Sequence, residues 1–169
     1  MTIRRAEKID LEKIMAMYKS CVAGMMKNGI EQWDESYPNS KIIASDLEAG
    51  TYYVAEIERK IIGGINIDQN QDKTYLDINW QDRSNSFLVV HRLAVQEEFW
   101  NQKIGKKLML FTENLLIEKG LNSIRLDTYS GNPKAIEFYK RIGYMQLGEI
   151  YLKPNKNEYY CFEKIIQLD

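Results

Sequence analysis

Two stretches of the sequence have residue types and spacings that suit phosphate binding and proton donation. The first is 99–107, which reads Phe-Trp-Asn-Gln-Lys-Ile-Gly-Lys-Lys and joins an apolar run to a helical pattern. A helix start offers unpaired backbone N–H groups and the positive end of the helix dipole, and both attract phosphate. Three lysines, Lys103, Lys106 and Lys107, add positive charge there. From spacing alone, a solvated loop with a glycine turn explains the stretch equally well, and no P-loop or GxGxxG motif is present.

The second stretch begins at Asn132-Pro133 and ends at Gly143-Tyr144. Asparagine suits a helix N-cap, and proline suits the first helical position because its missing N–H is not needed there. Tyr139 follows about two helical turns later, near the same helix face, so that a polar cap and a phenol can address one ligand. Taken alone, the pair is explained better by a plain cap and a core tyrosine.

Together the two stretches resemble the GNAT superfamily of acyl-CoA-dependent N-acetyltransferases. The resemblance rests on Leu93-Ala94-Val95, on Ile104-Gly105 in the basic loop, and on the pattern Asn132-Pro-x-Ala135-x-x-x-Tyr139-x-x-x-Gly143-Tyr144. Ile3-Arg4 before a capped helix is similar to the family's opening, so the resemblance covers essentially the full length.

Two loop positions depart from the family pattern. The family's phosphate loop usually reads Gln or Arg, two residues, Gly, one residue, then Gly or Ala, whereas this sequence has Trp100 at the first position and Lys103 in place of the first glycine. Glycine lets the backbone approach a pyrophosphate closely, so Lys103 must adopt the same backbone angles or shift the loop. We expect binding to survive, with the affinity for CoA as the property affected.

The resemblance implies acetyl-CoA as co-substrate, bound in a V-shaped gap between the parallel strands that end at Val95 and Tyr129. The pantetheine arm is expected at the backbone of Leu93 and Val95, and the pyrophosphate at the amides of 100–106. The implied CoA-binding residues are Leu93, Ala94, Val95, Asn101, Gln102, Lys103, Ile104, Gly105, Lys106, Asn132, Ala135, Phe138 and Tyr139.

The resemblance also implies direct transfer of the acetyl group from thioester to amine. Tyr139 occupies the family's tyrosine position, and a phenol there can protonate the leaving thiolate. His91 is the candidate base because imidazole titrates near neutrality, and arylalkylamine N-acetyltransferases also carry a histidine two residues before Leu-Ala-Val. A buried structural histidine is the alternative for His91, and Asp127 or Asp77 acting through water is the alternative base.

The acceptor pocket is expected near the connection between the first two helices, which usually shapes it in this fold. That places Gln32, Trp33 and Tyr37 near the acceptor, together with Asp34 and Glu35. Aromatic rings and carboxylates suit a cationic amine. The alternative is a loop in which Trp33 is a hydrophobic anchor, and the sequence favours that alternative.

Hydrophobic periodicity predicts the order β α α β β β α β α β β, an α/β (α+β) fold with a mixed central sheet of about seven strands and helices on both faces. Strands are predicted at 2–5, 52–57, 61–67, 86–95, 123–129, 144–152 and 158–166, the last two joined by a turn at 154–157. Helices are predicted after Asp10, after Ser40, from about 104 and after Asn132, with Asp10, Ser40 and Asn132 as caps. Gly63-Gly64 predicts a bulge or a close backbone approach.

Length and composition exclude several classes of protein. The 169 residues suit one domain over 1–169, and Lys+Arg 23 against Asp+Glu 24 argues against a nucleic-acid partner. No apolar run approaches the ~18 residues of a membrane span, and the charged start is not a secretory signal. Cys21 and Cys161 form no CxxC pair, and His91 is the single histidine. We therefore expect no metal and a cytoplasmic monomer or homodimer with free thiols.

The expected function is an N-acetyltransferase that moves an acetyl group from acetyl-CoA directly to a primary amine of a small molecule or peptide. The alternative is a catalytically weak CoA-binding module of the same fold, which the departures at Trp100 and Lys103 allow. The presence of Asn132 and Tyr139 argues for the enzyme.

Overall fold

In the computed structural model, which describes residues 1–153 and 157–166, the chain forms seven strands and four α-helices in the predicted order. They are β1 (Thr2–Arg5), α1 (Leu11–Lys27), α2 (Ser40–Ala49), β2 (Tyr52–Ile57), β3 (Lys60–Asp68), β4 (Phe87–Val95), α3 (Ile104–Glu118), β5 (Ser123–Tyr129), α4 (Pro133–Arg141), β6 (Met145–Ile150) and β7 (Tyr159–Ile165). Short 3-10 helices add Lys8–Asp10, Lys73–Asp77 and Glu97–Phe99. Of the turn predicted at 154–157, residues 154–156 lie outside the described residues.

The seven strands form one mixed sheet in the order β1-β2-β3-β4-β5-β7-β6. β4 and β5 pair in parallel from Phe87–Ser123 to Val90–Leu126. β5 with β7 and β6 with β7 pair antiparallel, as do β1 with β2 and β2 with β3. The predicted mixed sheet of about seven strands is therefore confirmed.

The chain forms two compact units, each made of two separate stretches. The first combines Met1–Ile67 with His91–Phe111, and the second combines Asp68–Val90 with Thr112–Asp169. In the first unit, residues of α1 and α2 pack with β2 in a core that includes Ile14, Met17, Tyr18, Ile43, Tyr52 and Val54. In the second unit, the core includes Tyr75, Trp80, Phe87, Tyr129, Tyr159 and Cys161.

Asp10 holds the predicted N-cap position of α1, but the prediction that its side chain caps the helix is wrong. Asp10 has helical backbone angles and makes no side-chain capping bond to α1. Its carboxylate instead accepts from both Arg4 guanidinium nitrogens, at 2.8 and 3.0 Å, and from the Glu7 backbone N–H at 2.9 Å. A bidentate pair between two charged groups is stronger than a single bond from a backbone N–H, so the carboxylate joins β1 to the start of α1.

The predicted cap of the second helix is also off by one residue. Asn39 is the N-cap of α2, and its side chain accepts from the Ile42 backbone N–H at 3.0 Å. Ser40 is already the first helical residue. Serine and asparagine are both good caps, and the extended backbone of Asn39 decides between them.

The β2–β3 hairpin has a tight turn, and its strand β3 lies close to the end of β4. Glu58 and Arg59 both have positive φ, 49° and 65°, as a two-residue type I′ turn requires. A Cβ added to Gly63 on β3 would lie 3.1 Å from the Ala94 carbonyl oxygen and 3.2 Å from Ile104. This confirms the predicted close approach, because a Cβ at these distances would push its neighbours apart by a few tenths of an ångström.

A buried arginine orders the irregular connection that precedes β4. The Arg125 guanidinium lies 4.6 Å from the Trp80 ring centroid and 4.0 Å from that of Phe87. It donates to the Asp82 carbonyl at 2.8 Å and to Glu163 at 3.3 Å. A buried charge needs such partners. The bonds from Arg125 to Glu163 and to the Asp82 carbonyl therefore hold the connection before β4 against β5 and β7.

Candidate functional site

The predicted phosphate loop connects β4 to α3 and is ordered by its own hydrogen bonds. The Phe99 N–H donates to the Gln96 carbonyl at 2.9 Å, and the Trp100 N–H donates to the Glu97 carbonyl at 3.1 Å. The Gln102 side chain donates to the Glu98 carbonyl at 3.1 Å. These internal bonds give the loop a defined shape.

Two residues of this loop have left-handed backbone. Asn101 and Lys103 both have φ of 63°. For a residue with a side chain this conformation costs on the order of 1–2 kcal/mol, and asparagine tolerates it better than lysine. Of the two alternatives considered for Lys103, a glycine-like backbone or a shifted loop, the lysine adopts the backbone that glycine favours.

The start of α3 concentrates positive charge where a helix tolerates it least. Lys103, Lys106 and Lys107 are exposed, and the first turn contains no acidic residue. The Lys107 N–H donates to the Lys103 carbonyl at 3.0 Å, at the beginning of the helix. Cations at the positive end of a helix dipole oppose helix stability, and a bound anion offsets both the charges and the unpaired amides.

The end of β4 is already partly hydrogen-bonded within the protein. The Trp100 indole N–H donates to the Val95 carbonyl at 2.8 Å, which uses one of its two lone pairs. The Val95 N–H donates to the Cys21 thiol, while burial raises the pKa of that thiol to about 11. Leu93 is half-buried and Ala94 is buried. Pantetheine binding at Leu93 and Val95 stays a prediction.

Arg92 interrupts the regular geometry of β4. Its φ is 53°, and its carbonyl accepts from the Tyr18 hydroxyl at 2.8 Å. The Tyr18 hydroxyl in turn accepts from Tyr52 at 2.8 Å. The Arg92 guanidinium donates to Asp46 at 2.5 Å and lies 3.4 Å from the Tyr37 hydroxyl. Such an interruption behaves like a β-bulge, which re-aims neighbouring side chains.

His91 is half-buried immediately before this interruption. Side-chain alternation along β4 does not carry across the left-handed Arg92, so it does not place His91 on the same face as Leu93 and Val95. Its role as the base stays a prediction.

Trp33, predicted in the acceptor pocket, is a core residue. It is buried in the cluster formed by α1 and α2, and its ring meets Tyr18 edge-on at 5.7 Å. The structure thus fits the hydrophobic anchor that the sequence favoured. Gln32 and Tyr37 are half-buried, and Asp34 and Glu35 are exposed.

In the second unit, Asn132 and Tyr139 occupy the two ends of α4. The Asn132 side chain accepts from the Ala135 N–H at 3.1 Å, and Pro133 is the first helical residue, which confirms the predicted cap. The Tyr139 ring is buried, with centroids of Phe162 and Tyr144 at 5.8 and 6.0 Å.

The surroundings of Tyr139 keep its hydroxyl protonated. Burial, and after it the charge of Asp127, raises the pKa of Tyr139 well above the ordinary phenol value. A phenol with a raised pKa carries its proton throughout the neutral range. The hydroxyl therefore carries a proton in this range, as a general acid must, and the raised pKa makes it a weaker acid than an exposed phenol.

Asp127 has a partner that sequence reasoning missed. The buried Tyr75 hydroxyl donates to Asp127 Oδ2 at 2.6 Å. Tyr75 belongs to a 3-10 helix in the polar connection before β4, and no motif links it to β5. Asp77, the other alternative base, is exposed at the end of that 3-10 helix.

The predicted site residues thus fall into two groups. Residues 91–106 and those near α1 and α2 belong to the first unit, whereas Asp127 and residues 132–139 belong to the second. Within residues 1–153 and 157–166, no group of three or more His, Cys, Asp or Glu side chains is arranged to hold a metal ion. Over the same described ranges, every helix is too short or too polar to cross a membrane. Cys21 and Cys161 are buried free thiols.

Comparison with known proteins gives one family. A model of the acetyltransferase (GNAT) family matches residues 12–144. An uncharacterized N-acetyltransferase of Bacillus subtilis (strain 168), YesJ, is 23% identical over 159 residues, which cover 93% of this chain and 86% of the relative.

Solved structures of low sequence identity share the fold. An acetyltransferase of the GNAT family from Streptococcus agalactiae 2603 has a TM-score of 0.83 at 22% identity, with 99% of this chain and 96% of that one covered. The PaiA N-acetyltransferase from Thermoplasma acidophilum, solved in complex with coenzyme A, has a TM-score of 0.72 at 18% identity, with 98% of each chain covered.

Proposed function

Because the chain belongs to the GNAT acetyltransferase family, we propose that it transfers an acetyl group from acetyl-CoA to a primary amine of a small molecule or peptide. The start of α3 carries this proposal. Its exposed lysines and acid-free first turn weaken the helix unless an anion binds there. Acetyl-CoA supplies such an anion in its phosphates.

The residues at this helix start fit the phosphate part of acetyl-CoA. Asn101 and Lys103 have left-handed backbone, and turns of this kind orient successive N–H groups toward one point. Because the Trp100 N–H already donates to the Glu97 carbonyl, we propose that the amides of 101–106, rather than all of 100–106, hold the pyrophosphate and that Lys103 and Lys106 add charge to it. The pantetheine arm is proposed to follow the backbone of Leu93 to Val95.

The proposed reaction forms one C–N bond and breaks one C–S bond. The amine loses a proton and attacks the thioester carbonyl, and the leaving thiolate takes up a proton. We assign the second proton to Tyr139, because burial keeps its hydroxyl protonated. The surroundings of α4 support this role, since the cap at Asn132 fixes the helix that carries the phenol.

His91 is proposed as the base that takes the proton from the amine. It is the single histidine of the chain, it is half-buried, and imidazole titrates near neutrality. Asp127 is the alternative base, and the hydrogen bond that it accepts from Tyr75 holds its carboxylate in place. Asp77 is exposed, which makes it the weaker candidate.

The proposed acceptor is an amine that meets the connection between α1 and α2, where Tyr37 and Gln32 are half-buried. A cytoplasmic location is proposed with this function, since Cys21 and Cys161 are free thiols of the kind that a reducing compartment maintains.

An amine-panel assay tests the proposed function. The protein is mixed with acetyl-CoA and with amino acids, polyamines, aminoglycosides or peptides, and the release of free CoA thiol is followed. We expect thiol release that depends on one class of amine, with acetylated amine found by mass spectrometry. CoA binding without amine-dependent thiol release for any class would contradict the proposal.

A further inference from the structure

One face of α1 packs against the end of β4 and the loop that follows it. Ser20, Gly24 and Lys27 lie four and three residues apart on α1, so they share this face. The Ser20 hydroxyl accepts from the Glu97 backbone N–H at 3.1 Å. The Lys27 ammonium lies 2.9 Å from the Glu97 carboxylate. The helix is thus bonded to the loop at both ends of this face.

At the centre of the face, Trp100 fills the space that Gly24 leaves. A Cβ added to Gly24 would lie 2.7 Å from Cη2 and 3.0 Å from Cζ2 of the Trp100 ring. Gly24 has no positive φ and lies inside α1, so close approach, rather than backbone conformation, requires glycine. Glycine inside a helix costs about 0.5–1 kcal/mol relative to alanine, which the contact with the indole offsets.

The indole is also hydrogen-bonded to the strand. The Trp100 Nε1–H donates to the Val95 carbonyl at 2.8 Å. Trp100 therefore joins three parts of the first unit: α1, the end of β4 and the loop. The two left-handed residues of the loop, Asn101 and Lys103, follow immediately. Strained backbone of this kind persists only where the surrounding structure holds it.

We propose that Trp100, seated against Gly24, is a positioning residue that holds residues 101–106 in the shape that binds the phosphates of acetyl-CoA. This inference rests on the proposed function. The family's loop usually begins with Gln or Arg at this position. Here an apolar ring contacts α1 instead, so the residue acts through the shape of the loop. A loop ordered before binding spares the ligand the cost of ordering it.

Two variants test the contact from its two sides. Gly24→Ala adds a methyl group where the indole lies, and Trp100→Phe removes the ring atoms nearest Gly24 together with the indole N–H. Ala23→Ser is the matched control, because it also adds one heavy atom to α1 but at an exposed position. Hydrogen exchange of the amides of 96–107 is measured without ligand, CoA affinity by calorimetry, and KM and kcat with the acceptor found in the panel.

We expect both test variants to exchange faster at 96–107 and to bind CoA about tenfold more weakly, which corresponds to about 1.4 kcal/mol. KM for acetyl-CoA should rise in parallel, whereas kcat and KM for the amine stay within about twofold. Ala23→Ser should match the wild type. If Gly24→Ala does not fold, Trp100→Phe alone tests the proposal, because that substitution adds no atom that could clash.

The outcomes separate this inference from the function on which it rests. A wild-type protein that does not bind CoA contradicts the proposed function. A wild type that binds CoA, with variants of equal affinity and unchanged exchange at 96–107, overturns the role of Trp100. Variants that lose kcat alone, with CoA affinity unchanged, overturn it as well.

Discussion

The Tyr75 hydroxyl donates to Asp127 Oδ2 at 2.6 Å and joins the polar connection before β4 to the middle of β5. Tyr75 is almost fully buried and Asp127 is half-buried. The bond fixes the carboxylate and satisfies a hydroxyl that lies away from water. It therefore stabilises the second unit whether or not the carboxylate takes part in catalysis.

Replacing Tyr75 with phenylalanine removes this bond and leaves the carboxylate short of one donor. We expect the free energy of unfolding to fall by about 1.5–3 kcal/mol, because one hydrogen bond to a carboxylate is lost. Thermal and urea unfolding measure this loss. Since His91 is the proposed base, the acid limb of the pH–rate profile should stay where it is.

His91→Gln is the comparison for that variant. It should lower the rate and remove the acid limb without lowering the unfolding temperature, because only neutral imidazole accepts the proton. An acid limb that moves in Tyr75→Phe and survives in His91→Gln would assign the base to Asp127 instead.

Tyr139→Phe tests the general acid. We expect kcat to fall by about 10²–10⁴-fold while acetyl-CoA affinity stays nearly unchanged, because the ring contacts with Phe162 and Tyr144 remain. The protonated phenol is the active form and its pKa is raised, so the wild-type rate should show no alkaline loss from this group below about pH 10. Steady-state kinetics across pH measure both effects.

Tyr144→Phe is the matched control, because Tyr144 is another buried tyrosine that contacts the same ring. An unchanged kcat in Tyr139→Phe, or an equal loss in both variants, would leave Tyr139 as a packing residue.

Lys103→Gly separates backbone strain from charge. Glycine relieves a left-handed backbone, so the free energy of unfolding should rise by about 1 kcal/mol. CoA binding should weaken and lose part of its salt dependence, because a lysine near the phosphates is gone. Calorimetry at two salt concentrations measures the binding.

Asn101→Gly provides the comparison, since Asn101 has the same φ of 63° and no charge. It should keep the wild-type affinity and salt dependence. Equal binding by Lys103→Gly and the wild type would place the phosphates away from this lysine.

Asp10→Asn tests the ion pair that replaced the expected cap. The Arg4 guanidinium holds the pKa of the Asp10 carboxyl below its usual value, so the ionised form is the one that stabilises the fold. This stabilisation is complete above the unfolded-state pKa near 3.9 and is lost as pH falls through the lower folded-state value. The variant should lose about 1–3 kcal/mol at pH 7 and depend less on pH below about 4.

Glu48→Gln is the control, because the Lys8–Glu48 pair is exposed on both sides. Exposed pairs contribute about 0–1 kcal/mol, so its loss should be small. Equal losses in the two variants at pH 7 would show that the Arg4–Asp10 pair adds nothing beyond a surface contact.

The sequence predicts features that depend on neighbouring residues. The element order follows from local periodicity, and the cap at Asn132 needs only a backbone N–H three residues away, that of Ala135. Gly50 and Gly120 have the left-handed φ, 69° and 64°, expected where helices end. The sequence predicts that Lys103 either adopts this left-handed backbone or shifts the loop, and Lys103 adopts the left-handed backbone.

Features that depend on distant partners were not predictable. Asp10 looks like a cap until Arg4 reaches it from β1, and Arg125 on β5 gives no sign in the sequence of its partners Glu163 and Asp82. The left-handed Arg92 lies in an apolar run that predicts a regular strand. In each case a contact made in the folded chain overrides the local preference.

The most direct test of the proposed acetyl-CoA site is a calorimetric titration of CoA into the wild type and into Gly105→Leu. Leucine suits a helix, so the variant should fold, but its side chain stands where the backbone of α3 is proposed to meet the pyrophosphate. We expect saturable binding to the wild type and binding at least about tenfold weaker in the variant. No binding to the wild type at millimolar CoA, or equal affinity for the two proteins, would contradict the account.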